Sequence, residues 1–174
     1  MTDKIVELFW DLSDDVLSMT HSGQLGGRPS PRELPLLPII SGFSQFVLTA
    51  NVRDDSGTPV GTMSELEVYS EDDSFDVYLT AVLPGRGTLV SFQTKSRANS
   101  KGMLPPIPAG QSEWNGERTT VSTTGPEPGR YATVIAATGE FEGLSGLHQQ
   151  KVTCTHVSAN RFEARAHERY LLSF

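Results

Sequence analysis

From Gly42 onward the chain alternates short runs rich in Val, Thr, Phe and Tyr with clusters of Gly, Asp, Asn and Pro, and this punctuation fixes the class of fold. The runs are Phe43–Arg53, Gly61–Tyr69, Ser74–Leu83, Thr88–Ser96, Gly116–Thr124, Arg130–Glu142, Leu147–Val157 and Arg161–Leu171. No helical spacing separates them, so eight strands are expected to pair antiparallel. Closing such a sheet on itself removes its exposed edges. The expected fold is therefore all-β, an eight-stranded antiparallel barrel over residues 41–174.

The first 40 residues read differently. Ile5, Leu8, Phe9, Leu12, Val16 and Met19 recur at spacings of three and four, which predicts an amphipathic helix over residues 1–21, with Asp3 as N-cap and Gly23 as a stop. Residues 22–40 carry Pro29, Pro31, Pro35 and Pro38 and read as a tether. A lone helix of that length is marginal in water, so its apolar stripe is expected to dock on something.

Hairpin loop lengths set which faces match, because opposed residues of an antiparallel pair share a side. A three-residue loop Asp55-Ser56-Gly57, with Gly57 left-handed, pairs Phe46 with Leu66. Four-residue loops at Ser70–Asp73 and Pro84–Gly87 pair Leu66 with Val77 and Leu79 with Phe92. A loop Gly143–Gly146 pairs Ile135 with Cys154, and Ser158-Ala159-Asn160 sets Cys154 opposite Ala164 and His156 opposite Phe162. The inward face then collects Phe46, Leu48, Leu66, Val68, Phe75, Val77, Leu79, Phe92, Ile135, Val152, Cys154 and Phe162. Glu65, Glu67, Asp76, Gln93, Lys151, Glu163 and Arg165 fall outside. Ser64, Thr94, Tyr131, Thr133 and His156 are the few polar members expected within. The inverted register would instead line the lumen with Gln45, Glu65, Tyr78 and Gln93 and point to polar catalysis. A barrel of eight strands is either filled by its side chains or holds one small ligand.

Composition narrows the function. Net charge is −7, which argues against nucleic-acid partners. No apolar run is long enough for a spanning helix, and no secretory signal is visible. The single cysteine, Cys154, fits a reducing cytosol and a buried, inert thiol. No nucleophile elbow, Walker loop or dinucleotide fingerprint occurs. His21, His148, His156 and His167 show no metal-ligand spacing, so neither metal nor cofactor is expected.

The stretch Tyr131–Gly146 contains Thr138, Gly139, Phe141, Gly143 and Gly146 in a Thr-Gly-x-Phe-x-Gly-x-x-Gly pattern. It resembles a signature of the allene oxide cyclase and dirigent barrel superfamily, although Ala137 stands where the dirigent version usually has glycine. Its glycines permit a bulge and tight turn, and Phe141 is expected to plug one barrel end. With the leading helix and tether, the chain is similar to bacterial spirotetramate- and spirotetronate-forming cyclases. That resemblance implies a cofactor-independent intramolecular [4+2] cycloaddition on a polyketide-derived precursor, with the leading helix as a lid through Leu8, Phe9, Leu12 and Val16. Phe46, Leu66, Val77, Leu79 and Phe92 would form the walls, Trp114 the rim, and Tyr131, Thr133 and His156 the donors that polarise a carbonyl. A lipocalin-like carrier and an allene-oxide-cyclase-like or dirigent-like cyclase are the alternatives; the last expects an acidic residue or charged pair inside the barrel. The partner expected is a small polyene or tetramate-type substrate, with no membrane contact. A symmetric dimer through the outer face bearing Val47 and Tyr78 is left open.

Overall fold

The computed structural model describes residues 4–21, 24–25, 45–70, 74–96, 105–124, 129–158 and 161–174. Its strands are β1 (Lys4–Asp11), β2 (Val16–His21), β3 (Gln24–Leu25), β4 (Gln45–Arg53), β5 (Pro59–Tyr69), β6 (Ser74–Leu83), β7 (Gly87–Ser96), β8 (Glu113–Val121), β9 (Ala132–Ala137), β10 (Ser145–Ser158) and β11 (Phe162–Ser173). Eight of them close an all-antiparallel barrel in the order β1-β11-β10-β9-β7-β6-β5-β4, with Phe9 of β1 meeting Arg53 of β4 at the seam. β2, with the two-residue β3, extends outward from β4, and β8 lies on β10 beyond the short β9.

The lid helix is not there. Lys4–Asp11 pairs residue for residue with Leu172–Arg165 of β11 and is a barrel stave. Val6, Leu8 and Trp10 alternate inward and are buried, while Ile5 is half exposed. The spacing of Ile5, Leu8, Phe9 and Leu12 suits a helix, but the alternation Val6-Leu8-Trp10 suits a strand equally well. β-branched and aromatic residues beside a long complementary strand decide for the sheet. Phe9 points outward and stacks on His167, with ring centroids 4.5 Å apart. Leu12 and Val16 are half-buried and pack on the main core around the β1–β2 turn. That turn is fixed by buried Asp15, which accepts the Asp11 N–H at 2.9 Å and the Arg53 guanidinium at 2.6 Å. The tether expected at 22–40 lies outside the described residues except for Gln24–Leu25.

The stave freed for β1 is the one expected of the Gly116–Thr124 run. β8 carries Glu113, Asn115, Glu117, Arg118 and Thr119, mostly exposed, and has no continuous apolar face to bury. The chain after β8 crosses from β10, where the Ser122 N–H donates to the Gln150 carbonyl, to β7, where the Thr124 N–H donates to Gln93 Oε1 at 2.7 Å.

Three one-residue differences in register redistribute the faces. The Asp54–Thr58 turn forms as expected, with Gly57 at φ +84°. A bulge between Val52 and Arg53 then shifts the pairing by one, so Val47 and not Phe46 opposes Leu66. This turns Met63, Glu65 and Glu67 inward and Leu66 and Val68 outward. The β5–β6 loop is one residue shorter than expected, with Ser70 N–H donating to Ser74 O, and this restores Phe75, Val77 and Leu79 to the inside. The β6–β7 loop is also one shorter, with Leu83 opposite Gly87. β7 therefore turns Leu89, Ser91, Gln93 and Lys95 inward and Phe92 outward, where Phe92 meets Tyr78 at 4.9 Å.

The Thr138–Gly146 segment closes one end of the barrel. Phe141, on the 3-10 turn Gly139–Phe141, is completely buried in the main core, with Lys4 Nζ 4.6 Å above its ring. Gly139 has φ +65°, and a Cβ there would lie 2.4 Å from the Arg86 carbonyl, so the turn requires glycine. This turn ends β9 at Ala137, so Thr133 opposes Leu147 and the expected Ile135–Cys154 pair does not form.

Candidate functional site: the polar lumen

Cross-strand register stacks the inward side chains in rows. Leu48, Glu65, Leu79, Ser91 and Val134 follow one another across β4, β5, β6, β7 and β9. The next row toward the β5–β6 turn holds Phe46, Glu67, Val77 and Gln93, and the one beyond it Tyr69, Phe75 and Lys95. Leucine, valine and alanine wall the barrel, but β5, β7, β10 and β11 place a polar set inside it: Glu65, Ser91, Gln93, Lys95, His148, Gln150 and Glu168, all buried.

Glu168 is the most heavily partnered of these. Its carboxylate accepts hydrogen bonds from Trp10 Nε1 at 2.8 Å and Gln150 Nε2 at 2.9 Å, and pairs with His148 Nε2 at 2.9 Å. His148 Nδ1 lies 2.8 Å from Ser91 Oγ, and its ring stacks on Tyr170 at 4.2 Å. Ser122 Oγ donates to Gln150 Oε1. Each buried polar group here has its partner, as burial demands, so this network fixes the orientation of β10 against β11 and β1. Burial, with the neighbouring Glu168 charge, holds the Tyr170 hydroxyl well above its ordinary range, so it stays protonated.

Glu65 is different. Burial, then the nearby Glu67 and Glu168 charges, push its carboxyl up to about 8, against a smaller opposing pull from Lys95. Near neutral pH it is a carboxylic acid, a hydrogen-bond donor set among Leu48, Leu79 and Val77. Glu67 accepts a hydrogen bond from the Tyr69 hydroxyl.

Of the wall residues expected from the sequence, Val77 and Leu79 are buried inside the barrel and Phe46 packs on the same core half-buried, whereas Leu66 and Phe92 face out. Leu8 joins this interior as part of β1. The expected donors do not converge. Thr133 points outward between buried Ala132 and Val134, and Tyr131 is half-buried at the edge of β9. A bulge after Cys154 turns His156 to the outside, where Nδ1 sits 2.7 Å from Asn115 Oδ1 of β8. Ser64 and Thr94 also face outward, opposite the expected side. Trp114 lies on β8 and packs with Ile107 against a second apolar cluster of Cys154, Val157 and Ala164. Burial pushes the Cys154 thiol up, away from thiolate chemistry. No cluster of His, Cys, Asp and Glu able to hold a metal ion occurs among the described residues, and no helix there is long and apolar enough to cross a membrane.

Facing arithmetic puts Glu65, Glu67 and Gln93 outside, where the structure has them within. The signal that could have found them is the unbroken inward hydrophobic alternation of β6. With that strand fixed, a three-residue loop on each side places all three within.

No family model and no curated protein matches the chain. Among solved structures it is similar to the pterocarpan synthase dirigent protein PsPTS1, with 12% identity and a TM-score of 0.49 over 98% of this chain and 94% of that one. It is likewise similar to the pterocarpan synthase dirigent protein GePTS1, with 13% identity and a TM-score of 0.48 over 98% of this chain and 89% of that one.

Proposed function

We propose that the protein is a cofactor-independent cyclase that folds a flexible precursor inside the barrel and closes a ring there. The observation that carries this reading is Glu65, an acid that stays uncharged near neutral pH beside the apolar side chains of Leu48, Val77 and Leu79. A wall of Leu48, Val77 and Leu79 confines an apolar chain, and confinement in a reactive shape spares the precursor the internal-rotation entropy of reaching it. A neutral carboxylic acid facing that wall donates a hydrogen bond to a substrate carbonyl and stabilises the negative charge that grows on its oxygen.

The finer form of the proposal is an intramolecular [4+2] cycloaddition on a linear polyketide-derived precursor that yields a spiro-linked tetramate or tetronate, as in the spirotetramate-forming step of pyrroindomycin biosynthesis. Glu65 would then polarise the carbonyl that activates the dienophile. Without a lid helix this reading rests on the lumen alone. A second reading, proton-steered cyclisation of a reactive intermediate, is favoured by one observation: the interior carboxyls that it requires are present as Glu65, Glu67 and Glu168.

Glu65→Gln separates the two. Its amide still donates a hydrogen bond but cannot transfer a proton. Cycloaddition is expected to slow about 10-fold to 100-fold with no solvent isotope effect, whereas proton-steered closure falls by up to about 10⁴-fold. Tight binding of a linear precursor with no ring formed in single-turnover assays would leave a carrier and overturn both.

A further inference from the structure

The inner face of β7 carries donors that have nothing to donate to. Gln93 is fully buried, and its Oε1 is taken by the Thr124 N–H at 2.7 Å, yet its Nε2 meets no acceptor. Thr124 Oγ1, beside it, is buried without a partner as well. Lys95 follows on the same face, about 7 Å further along the strand. It is only 4% exposed, and among the described residues its ammonium meets the Phe75 ring, 5.9 Å from the centroid, and forms no ion pair. An unpaired buried donor costs about 1–3 kcal/mol, so two such donors beside an ammonium that forms no ion pair mark a place built for an occupant.

The nearby carboxyls do not supply it. Glu168 is saturated by Trp10, Gln150 and His148, Glu65 holds its own proton near neutral pH, and Glu67, which accepts from Tyr69, forms no ion pair with Lys95 among the described residues. What is missing is an acceptor with negative charge and more than one oxygen, to meet an ammonium, an amide N–H and a hydroxyl at once.

We propose that Gln93, Lys95 and Thr124 form an oxyanion-binding pole at the β5–β6-turn end of the lumen, which takes a delocalised oxygen anion attached to an apolar body. The shared chemistry is one negative charge over two oxygens, whether from a carboxylate or from an enolised 1,3-dicarbonyl. The assignment rests on the cyclase reading only in taking this ligand as the substrate; the pole itself stands on the unpaired donors. Anchoring one end of a precursor here leaves its apolar remainder along Val77 and Leu79, within reach of Glu65.

Calorimetric titration of the full chain at pH 7.5 tests it with two anions, sorbate and dimedone enolate, each against its neutral counterpart, sorbamide and the methyl enol ether of dimedone. At least one anion is expected to bind tenfold or more tightly than its counterpart, and which of them does so identifies the source of the charge. Lys95→Met is expected to abolish the preference, Lys95→Arg to retain it, and Gln93→Leu to weaken it severalfold. Equal binding of anion and neutral partner to the native protein, or a preference that survives Lys95→Met, overturns the pole. The comparison on native protein needs no variant to fold. Selective anion binding, with no ring formed from a linear precursor in the single-turnover assay, would remove the cyclase reading and leave the pole standing.

Discussion

At the scale of single residues, Glu65 has the clearest consequence. Its carboxyl titrates at about 8 in the folded chain against 4.5 when free. The folded state therefore keeps a proton that the unfolded state releases between those values. The contribution of Glu65 to stability is fully present below pH 4.5 and is lost as pH rises through 8. Denaturant melts across that window are expected to show stability declining with pH, and Glu65→Gln is expected to flatten the slope. Activity that needs the protonated acid should fall above pH 8 in the native protein and lose that limb in the variant. A variant with the native slope would show that Glu65 does not carry the proton. In the order of residues an inward Glu65 is legible only as the inverted register, because Glu65 and Glu67 alternate with Leu66 and Val68 and either face reads as the inside. Burial was decided by one extra residue on β5, Val60, opposite Val52–Arg53, a bulge that leaves no mark in composition.

At the scale of elements, the sequence disclosed the strands better than their partners. Ser74–Leu83 forms as read, the Asp54–Thr58 turn forms as read, and Cys154 opposes Ala164 as read, because local turn chemistry and alternation determine each of them. The role of β1 was hidden, since what makes Lys4–Asp11 a strand is a partner more than 150 positions away. That role is testable. Deleting residues 1–22 removes Val6, Leu8 and Trp10 from the core and leaves the facing edges of β11 and β4 bare, so the shortened chain is expected to lose its cooperative thermal transition. A detachable cover would leave the barrel folded, and a native melt of the deletion would sink the stave assignment. Leu8→Ala is the milder version, with an expected loss of about 2–5 kcal/mol in urea unfolding.

At the scale of the molecule, barrel closure joins the two ends of the described chain. β1 cannot take its place until β11 exists, and that contact closes a loop of nearly the whole sequence. Long-range antiparallel pairing slows folding to milliseconds or seconds. Trp10, hydrogen-bonded to Glu168 across the β1–β11 seam, reports on that event. In a Trp114→Phe variant it is the sole indole fluorophore. Its emission is expected to reach the native value only in the slowest refolding phase seen by stopped-flow; native emission within the dead time would mean that the seam forms first.

Each stave of this tube bears two unlike chemistries back to back, carboxyl against leucine on β5 and amide or ammonium against phenylalanine on β7. Loss or gain of a single codon in a hairpin tip would rotate such a stave by half a turn and exchange an acid lining for a greasy one, with every side chain of the strand itself unaltered. Length variation at the tips, more than replacement along the walls, is thus the cheapest route by which descendants of such a tube could change what they transform.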